Sequence, residues 1–488
     1  MPGDRHWSGP QCLDVVGGDA LRTKTMGAGV GLGAFPADPD FPQLDVASDP
    51  ARMLEIFRAH LNPVDGNRLR ILDCTPIRFR CRQSTSRCVL QYSLRLEDPS
   101  TGRRWDQWVT GLIFAARGEA KRLCQTLRAT DPVREIPEPW RTFEPVSAVP
   151  ELDMLIEVYP YDRRLPQLSR VLDWASRDLG PLLVPSLGPG RWQVGAATIE
   201  TSRYRTELGA VLRCALTARE AETGRCETRR CYVKVYRNER GGETFDLLQS
   251  WSQRALREAR PYSVVRPLAY RSDLRTLVLE EAPGTSLQNL LLQGGDPVDA
   301  VRAVARAVAA LNQDDIGISH AHTLVEQLGQ VKRAAALVQW ACPHLEAEVR
   351  AITDAVFAGL EEVPPAPFHG DLKADHVFLS DGRVIFVDLD SVALGDPVRD
   401  PAHFCSYILG RVGLDAMPKE QARALARDFA AEYFSHVPTS WRRRFSLHSA
   451  GALVEVACGI FRHQEPRWLE KATAAITEAR HALSGGTP

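Results

Sequence analysis

Lysine is scarce in this 488-residue chain. Of its 60 basic residues only seven are lysines: Lys24, Lys121, Lys234, Lys332, Lys373, Lys419 and Lys471. Arginine therefore supplies positive charge wherever a generic one will do, and a lysine inside an apolar stretch is unusually informative. An excess of either charge is also missing. The 60 basic residues face 61 acidic ones, which gives a net charge of −1 and a pI near 6.9. That balance argues against a general nucleic-acid binder and against a protein held on anionic membranes. No run reaches the ~18 consecutive apolar residues that a membrane span needs. The opening MPGDRHWSGPQCLDVV shows no basic-then-apolar leader. The 11 cysteines are scattered, with no CxxC pair. Such an irregular set reads as reduced, buried thiols, and the expected location is the cytoplasm.

What is present is ordinary globular material, 44% hydrophobic and 25% charged. At this length it predicts roughly three domains. Residues 1–48 are rich in Gly, Ala, Asp and Pro and read as a flexible lead-in. The spacing of Gly29, Gly31 and Gly33 imitates a nucleotide fingerprint, but no strand precedes it and no amphipathic helix follows. An internal repeat comes next. VLQYSLRLEDPSTGRRWDQWVTGLIF from Val89 aligns with VLRCALTAREAETGRCETRRCYVKVY from Val211, and both turns end in Thr-Gly (Thr101-Gly102, Thr223-Gly224). Period-two alternation predicts antiparallel sheet in both copies. A helical pattern precedes each copy, from Ala51 and from Leu165, and Pro-rich residues 136–150 separate them. From about residue 285 the period becomes helical. Asp296-Pro297 predicts a helix start, with Val301, Val304, Ala305, Val308 and Leu311 on one face. Further helices are expected around 325–360, 417–435 and 450–484. The fold class read from this pattern is α+β and two-lobed, with boundaries at 1–48, 49–150, 151–283 and 284–488.

The segment richest in chemistry is FHGDLKADHVFLSDGRVIFVDLDSVALGDPVRD, Phe368 to Asp400. His369-Gly370-Asp371 follows a proline-rich turn and sets a carboxylate on a tight loop. VFLSDGRVIFVD reads as a hairpin around Asp381-Gly382. It delivers Asp388 to the end of an apolar strand, where a lone carboxylate is costly unless it meets a cation. Asp371, His376 and Asp388 thus converge on the hairpin base, an arrangement suited to a hard cation shared with phosphate oxygens.

This segment resembles the aminoglycoside phosphotransferase/choline kinase superfamily of the protein-kinase-like fold. His369, Asp371 and, imperfectly, His376 fit its H-x-D-x-x-x-x-N pattern. Asp388 fits its metal-binding Asp, and Gly395, Asp396, Pro397 and Asp400 fit its G-D-P-x-x-D. The resemblance implies a bilobal fold: a small antiparallel β N-lobe over 151–283 and a mainly helical C-lobe over 284–488. Residues 49–150 then look like a degenerate duplicate of the N-lobe, a cap-like domain also found in maltokinase-type relatives. The implied ligands are ATP with Mg²⁺ or Mn²⁺. The implied roles are Asp371 and Lys373 in catalysis, and Lys234, Glu243, Glu280 and Ala282 around the nucleotide. Asp388, His376 and Asp390 would lie at the metal. Glu239 or Glu258 could replace Glu243 as the partner of Lys234. The turn RTELGAV (205–211) takes the place of the loop over the phosphates with a single glycine, Gly209.

Two departures stand out. His376 replaces the usual Asn, and because imidazole is a poorer Mg²⁺ ligand than an amide oxygen the second metal position is expected to be weak, absent or better suited to Mn²⁺; Asp390 stands where protein kinases have glycine. The expected function is an ATP-dependent phosphotransferase acting on a hydroxyl of a small molecule, with a sugar or sugar derivative as the acceptor. The alternative is a pseudokinase scaffold. Protein kinase activity is disfavoured because no APE-like stretch follows Asp388. Leu112 occupies the repeat position of Lys234, so the first copy is no second active site; it caps, docks, shapes the acceptor pocket or supports a homodimer. His320, His322, His403, His448 and His463 show no metal-ligand spacing, and Trp441-Arg442-Arg443-Arg444 reads as a solvated helix face.

Overall fold

The computed structural model describes residues 35–64, 68–81, 86–293, 296–413 and 417–485. Most of the expected lead-in, including Gly29, Gly31 and Gly33, lies outside them. Its described end is not loose chain. Phe41, Leu44 and Ala47 are buried, and the Ala47 carbonyl accepts a 2.6 Å hydrogen bond from the buried Tyr92 hydroxyl. The apolar residues of this stretch therefore belong to a core.

Two compact units make up the chain. The first comprises residues 37–245 and 267–281 and contains two sheets. Strands β1 (Arg70–Arg80), β2 (Arg87–Glu97), β3 (Arg104–Phe114), β4 (Val146–Val149) and β5 (Met154–Val158) form one, in the order β1-β2-β3-β5-β4. Strands β6 (Trp192–Arg205), β7 (Gly209–Glu220) and β8 (Cys226–Tyr236) begin the other. After β9 (Tyr262–Val264), which belongs elsewhere, β10 (Pro267–Arg271) and β11 (Thr276–Glu280) complete it, and the order reads β6-β7-β8-β11-β10. The two sheets thus share one topology, a three-strand meander joined by the second member of a following hairpin. A helix precedes each, Pro50–His60 and Leu168–Asp178, and another follows the meander, Glu119–Arg128 and Arg240–Arg257. The paired turns match as well. Gly102 and Gly224 both have left-handed φ, +68° and +71°, where a Cβ would be strained. Their amides are tied to the Asp98 and Glu220 carbonyls.

One boundary moves. Residues 154–158 were expected in the second module, yet β5 pairs with β3 and closes the first sheet. Its sequence MLIEV is buried throughout, because this strand has neighbours on both edges and side chains on both faces. In β8 the alternation is clean: Cys231, Val233 and Val235 enter the core while Lys234 sits half-buried on the other face, between Val211 and Leu277.

The second unit contains residues 35–36, 246–266 and 282–485 among those described. Strands β12 (Thr285–Ser286), β14 (Val377–Ser380), β15 (Arg383–Phe386) and β9 form a small sheet in that order, while β13 (Ala366–Phe368) pairs with β16 (Ala393–Gly395). The rest is helical. Helices Leu324–Ala341, Glu346–Gly359, Phe445–Arg462 and Trp468–Leu483 bury one large apolar cluster that includes Val349, Ile460 and Ile476. The helix after Asp296 is Val298–Asn312, one residue later than the Pro297 start, and the Asp296 side chain accepts the Val298 N–H at 3.1 Å. Of ten described free cysteines only Cys226 is exposed. Among the described residues no helix is long and apolar enough to cross a membrane.

Glu157 on β5 is a costly group to bury. It is 1% exposed. Oε1 accepts from Arg163 at 2.9 Å, whereas Oε2 has no hydrogen-bond partner among the described residues. Burial pushes its pKa up to about 7, against the pull of Arg163. Between the unfolded value near 4.5 and about 7 the folded state holds the extra proton, so stability falls as pH rises through that window. Glu157→Gln removes the titration. The variant is expected to gain about 3 kcal/mol on wild type between pH 4.5 and pH 8, read as diverging thermal midpoints; parallel curves would refute the assignment.

Candidate functional site

The loop from Phe368 to His376 is fixed by one carboxylate. Asp400, in the first turn of helix Arg399–Tyr407, is 1% exposed. Its Oδ2 accepts the His369 N–H at 2.7 Å and the Asn312 amide at 3.0 Å, and its Oδ1 accepts the Gly370 N–H at 3.0 Å. Tyr433 in turn donates to the Asn312 carbonyl oxygen at 2.9 Å. Gly370 has φ +81°, and a Cβ there would lie 2.2 Å from the Ser391 carbonyl, so no other residue fits. His369 is fully buried. Its Nε2 donates to the Val387 carbonyl at 3.0 Å and its Nδ1 accepts the Asp371 N–H at 3.3 Å, which fixes the tautomer and leaves the ring neutral. Burial, in agreement, lowers its pKa. His369 therefore pins the loop and takes no part at its mouth.

Asp371 follows, with its side chain one-third exposed. Lys373 Nζ lies 2.8 Å from Oδ2, and His403 Nε2 lies 3.9 Å from Oδ1. Burial raises its pKa, but Lys373, then His376 and His403, outweigh that and hold the carboxyl well below the usual carboxylate range. Asp371 is therefore an anion at neutral pH, and a weak base but a good acceptor for a hydroxyl hydrogen.

His376 is buried on the far side of the loop. Its Nδ1 donates to the Asp371 carbonyl at 2.8 Å, which turns Nε2 toward Asp388 Oδ2, 3.4 Å away. Asp388 follows β15 by two residues and takes left-handed φ +59°. That conformation is strained for a residue with a Cβ and swings its carboxylate out of the strand line. The β14–β15 hairpin behind it turns at Asp381 and Gly382, both with positive φ, +49° and +75°, as a two-residue primed turn requires. Ligand atoms of Asp371, His376 and Asp388 all lie within 4.8 Å of one another. Two carboxylates and an imidazole whose other nitrogen is already hydrogen-bonded fit a divalent cation.

Asp390 is not part of this set. It lies in the short helix Leu389–Ser391 that begins one residue beyond Asp388. In the first unit, Lys234 lies on β8, Glu280 ends β11, and Glu243 is exposed in the first turn of helix Arg240–Arg257. Of the other two glutamates considered, Glu239 binds Arg275 and Tyr270, and Glu258 binds Arg254 and Arg260. Ala282 opens the second unit's main segment and is half-buried.

Three supporting residues escaped the sequence reading. His403 stands three residues after Asp400 on one helix face, a spacing that could have linked it to the loop. Asn312 is a lone polar residue at the end of an apolar helix. Arg444 was read as part of a solvated face, yet its side chain is mostly buried and grips Asp396 at 2.6 and 3.0 Å, with His448 Nε2 at 2.8 Å on the same carboxylate. These contacts anchor the Gly395–Asp400 segment that presents Asp400. A narrow recess beside the loop is lined by Gly370, Arg399, His403, His448 and Glu455.

Residues 202–443 match the model of the phosphotransferase enzyme family, APH. No curated protein matches the chain. Among solved structures, a GDP complex of a mutant aminoglycoside 2'-phosphotransferase-IIIa is 12% identical, with a TM-score of 0.41, covering 64% of this chain and 100% of the other. Choline kinase from Cryptosporidium parvum Iowa II is 10% identical, with a TM-score of 0.41, covering 59% and 89%. Aminoglycoside phosphotransferase APH(3'')-Id from Streptomyces rimosus is 19% identical, with a TM-score of 0.35, covering 56% and 98%. The family model covers residues 202–443 only, just under half of the chain. The particular likeness of Phe368–Asp400, to the aminoglycoside phosphotransferase/choline kinase superfamily, lies inside that match.

Asp400→Asn keeps the shape but turns an NH₂ toward at least one N–H donor. A loss of about 2 kcal/mol is expected, with a lower thermal midpoint for the helical unit; an unchanged midpoint would mean that the loop does not depend on this carboxylate.

Proposed function

We propose that the protein is an ATP-dependent phosphotransferase that phosphorylates a hydroxyl of a small molecule, with a sugar or sugar derivative as the acceptor. The observation that carries this reading is the convergence of Asp371, Lys373, His376 and Asp388 on a loop clamped by Asp400. Asp371 accepts the hydrogen of the acceptor hydroxyl and orients its oxygen toward the phosphoryl group. Its low proton affinity suits this role better than full deprotonation, because proton loss comes late in a loose phosphoryl transfer. Lys373 holds Asp371 in place and offsets charge on the transferring group. Asp388 and His376 would hold Mg²⁺ or Mn²⁺, which neutralises phosphate charge when bound.

The resemblance assigns Lys234 to the nucleotide phosphates, the turn 205–211 to their cover, and the backbone of Glu280 and Ala282 to the base. The same reading keeps the protein in the cytoplasm, without nucleic-acid or membrane partners, and leaves the first sheet as a surface for a homodimer.

Calorimetric titration with ATP and with GTP, each with Mg²⁺, Mn²⁺ or EDTA, tests the reading. Metal-dependent binding is expected, tightest with Mn²⁺ and abolished in Asp388→Ala. Binding that ignores the metal would remove Asp388 and His376 from that role, and no binding at all would favour the scaffold. Asp371→Asn is expected to keep nucleotide affinity while losing phosphoryl transfer by about a hundredfold or more, followed as ADP release over a sugar panel. Unchanged transfer would exclude Asp371.

A further inference from the structure

The turn between β6 and β7 is held by the first sheet. Glu207, at its centre, is 2% exposed and has left-handed φ +64°. A residue with a Cβ persists there only when its surroundings over-determine it, and here they do. Arg87, which opens β2, binds the Glu207 carboxylate with both terminal nitrogens, at 2.7 and 2.8 Å. Arg80, which ends β1, reaches it at 3.1 Å and also donates to the Thr206 carbonyl at 2.9 Å. Arg163, beyond β5, adds a contact at 3.1 Å. Asp162 accepts the Glu207 N–H at 2.7 Å and the Tyr204 hydroxyl at 2.9 Å. Thr110 of β3 and Thr206 share a 2.6 Å hydroxyl contact.

Every partner except Tyr204 comes from the first sheet or the segment just after it, and every contact falls on residues 204–207. A glycine-rich loop adapts to phosphates through a free backbone. This turn has one glycine, Gly209, whose added Cβ would meet the Val235 carbonyl at 2.7 Å. It takes its shape from outside.

We propose that Glu207 is a positioning residue for the nucleotide: the first sheet grips the β6–β7 turn through Arg80, Arg87 and Arg163 and fixes the conformation in which that turn covers the phosphates. This deepens the nucleotide reading above and rests on it. The duplicated sheet then acts on catalysis without touching substrate.

The test uses the full chain with Glu207→Gln and Arg87→Gln, the second a guanidinium 23% exposed that leaves the carboxylate in place. Hydrogen exchange at residues 205–209 is measured without ligand, ATP affinity by calorimetry with Mn²⁺, and acceptor KM by ADP release. Exchange in the turn is expected to rise about tenfold and ATP affinity to fall about tenfold, with acceptor KM unchanged and Arg87→Lys recovering part of the affinity. Faster exchange with ATP affinity within twofold of wild type overturns the inference and leaves the nucleotide reading standing. Unchanged exchange overturns the grip itself. Wild-type protein that binds no nucleotide overturns both.

Discussion

The chemistry of the second unit depends on the Asp400 carboxylate. A loop that must present Asp371 at a cleft exposes consecutive backbone N–H groups with no strand or helix to receive them. Asp400 receives two of them and the Asn312 amide as well, from a buried position where water cannot compete. A buried carboxylate is stable only with such partners. The dependence is therefore mutual: the loop holds Asp400 in place, and Asp400 keeps the loop in one shape. Asp396, four residues earlier, is fixed in the same manner by Arg444 and His448.

The elements of the site that follow from local pattern were legible in the sequence. The primed turn at Asp381-Gly382, the strand leading to Asp388 and the helix after Asp296 each rest on residues a few positions apart. Convergence of Asp371, His376 and Asp388 was legible because one hairpin carries two of them. Asn312, His403 and Arg444 were not, since their partners lie 88, 32 and 48 positions away and no periodicity records such pairings. The boundary near residue 150 failed for a related reason. MLIEV has the composition of a buried strand, but composition does not say which sheet receives it.

The repeated topology explains why so much β structure precedes the helical unit. Two sheets of one order stand in a single compact unit, and they have diverged where chemistry differs. Lys234 lies half-buried on its strand; Leu112, its counterpart, is wholly buried. The first sheet has Leu112 in place of a cation on that strand and carries arginines at the β1–β2 end.

That exchange divides the constraints on the two copies. The second sheet answers both to packing and to whatever lies over Lys234, so its half-buried face has little freedom to vary. The first answers to packing and to a few anchor points: Arg80, Arg87, Thr110 and the Asp162-Arg163 pair. Two sheets of one topology thus carry different loads: the second holds the half-buried Lys234, and the first supplies the side chains that hold residues 204–207.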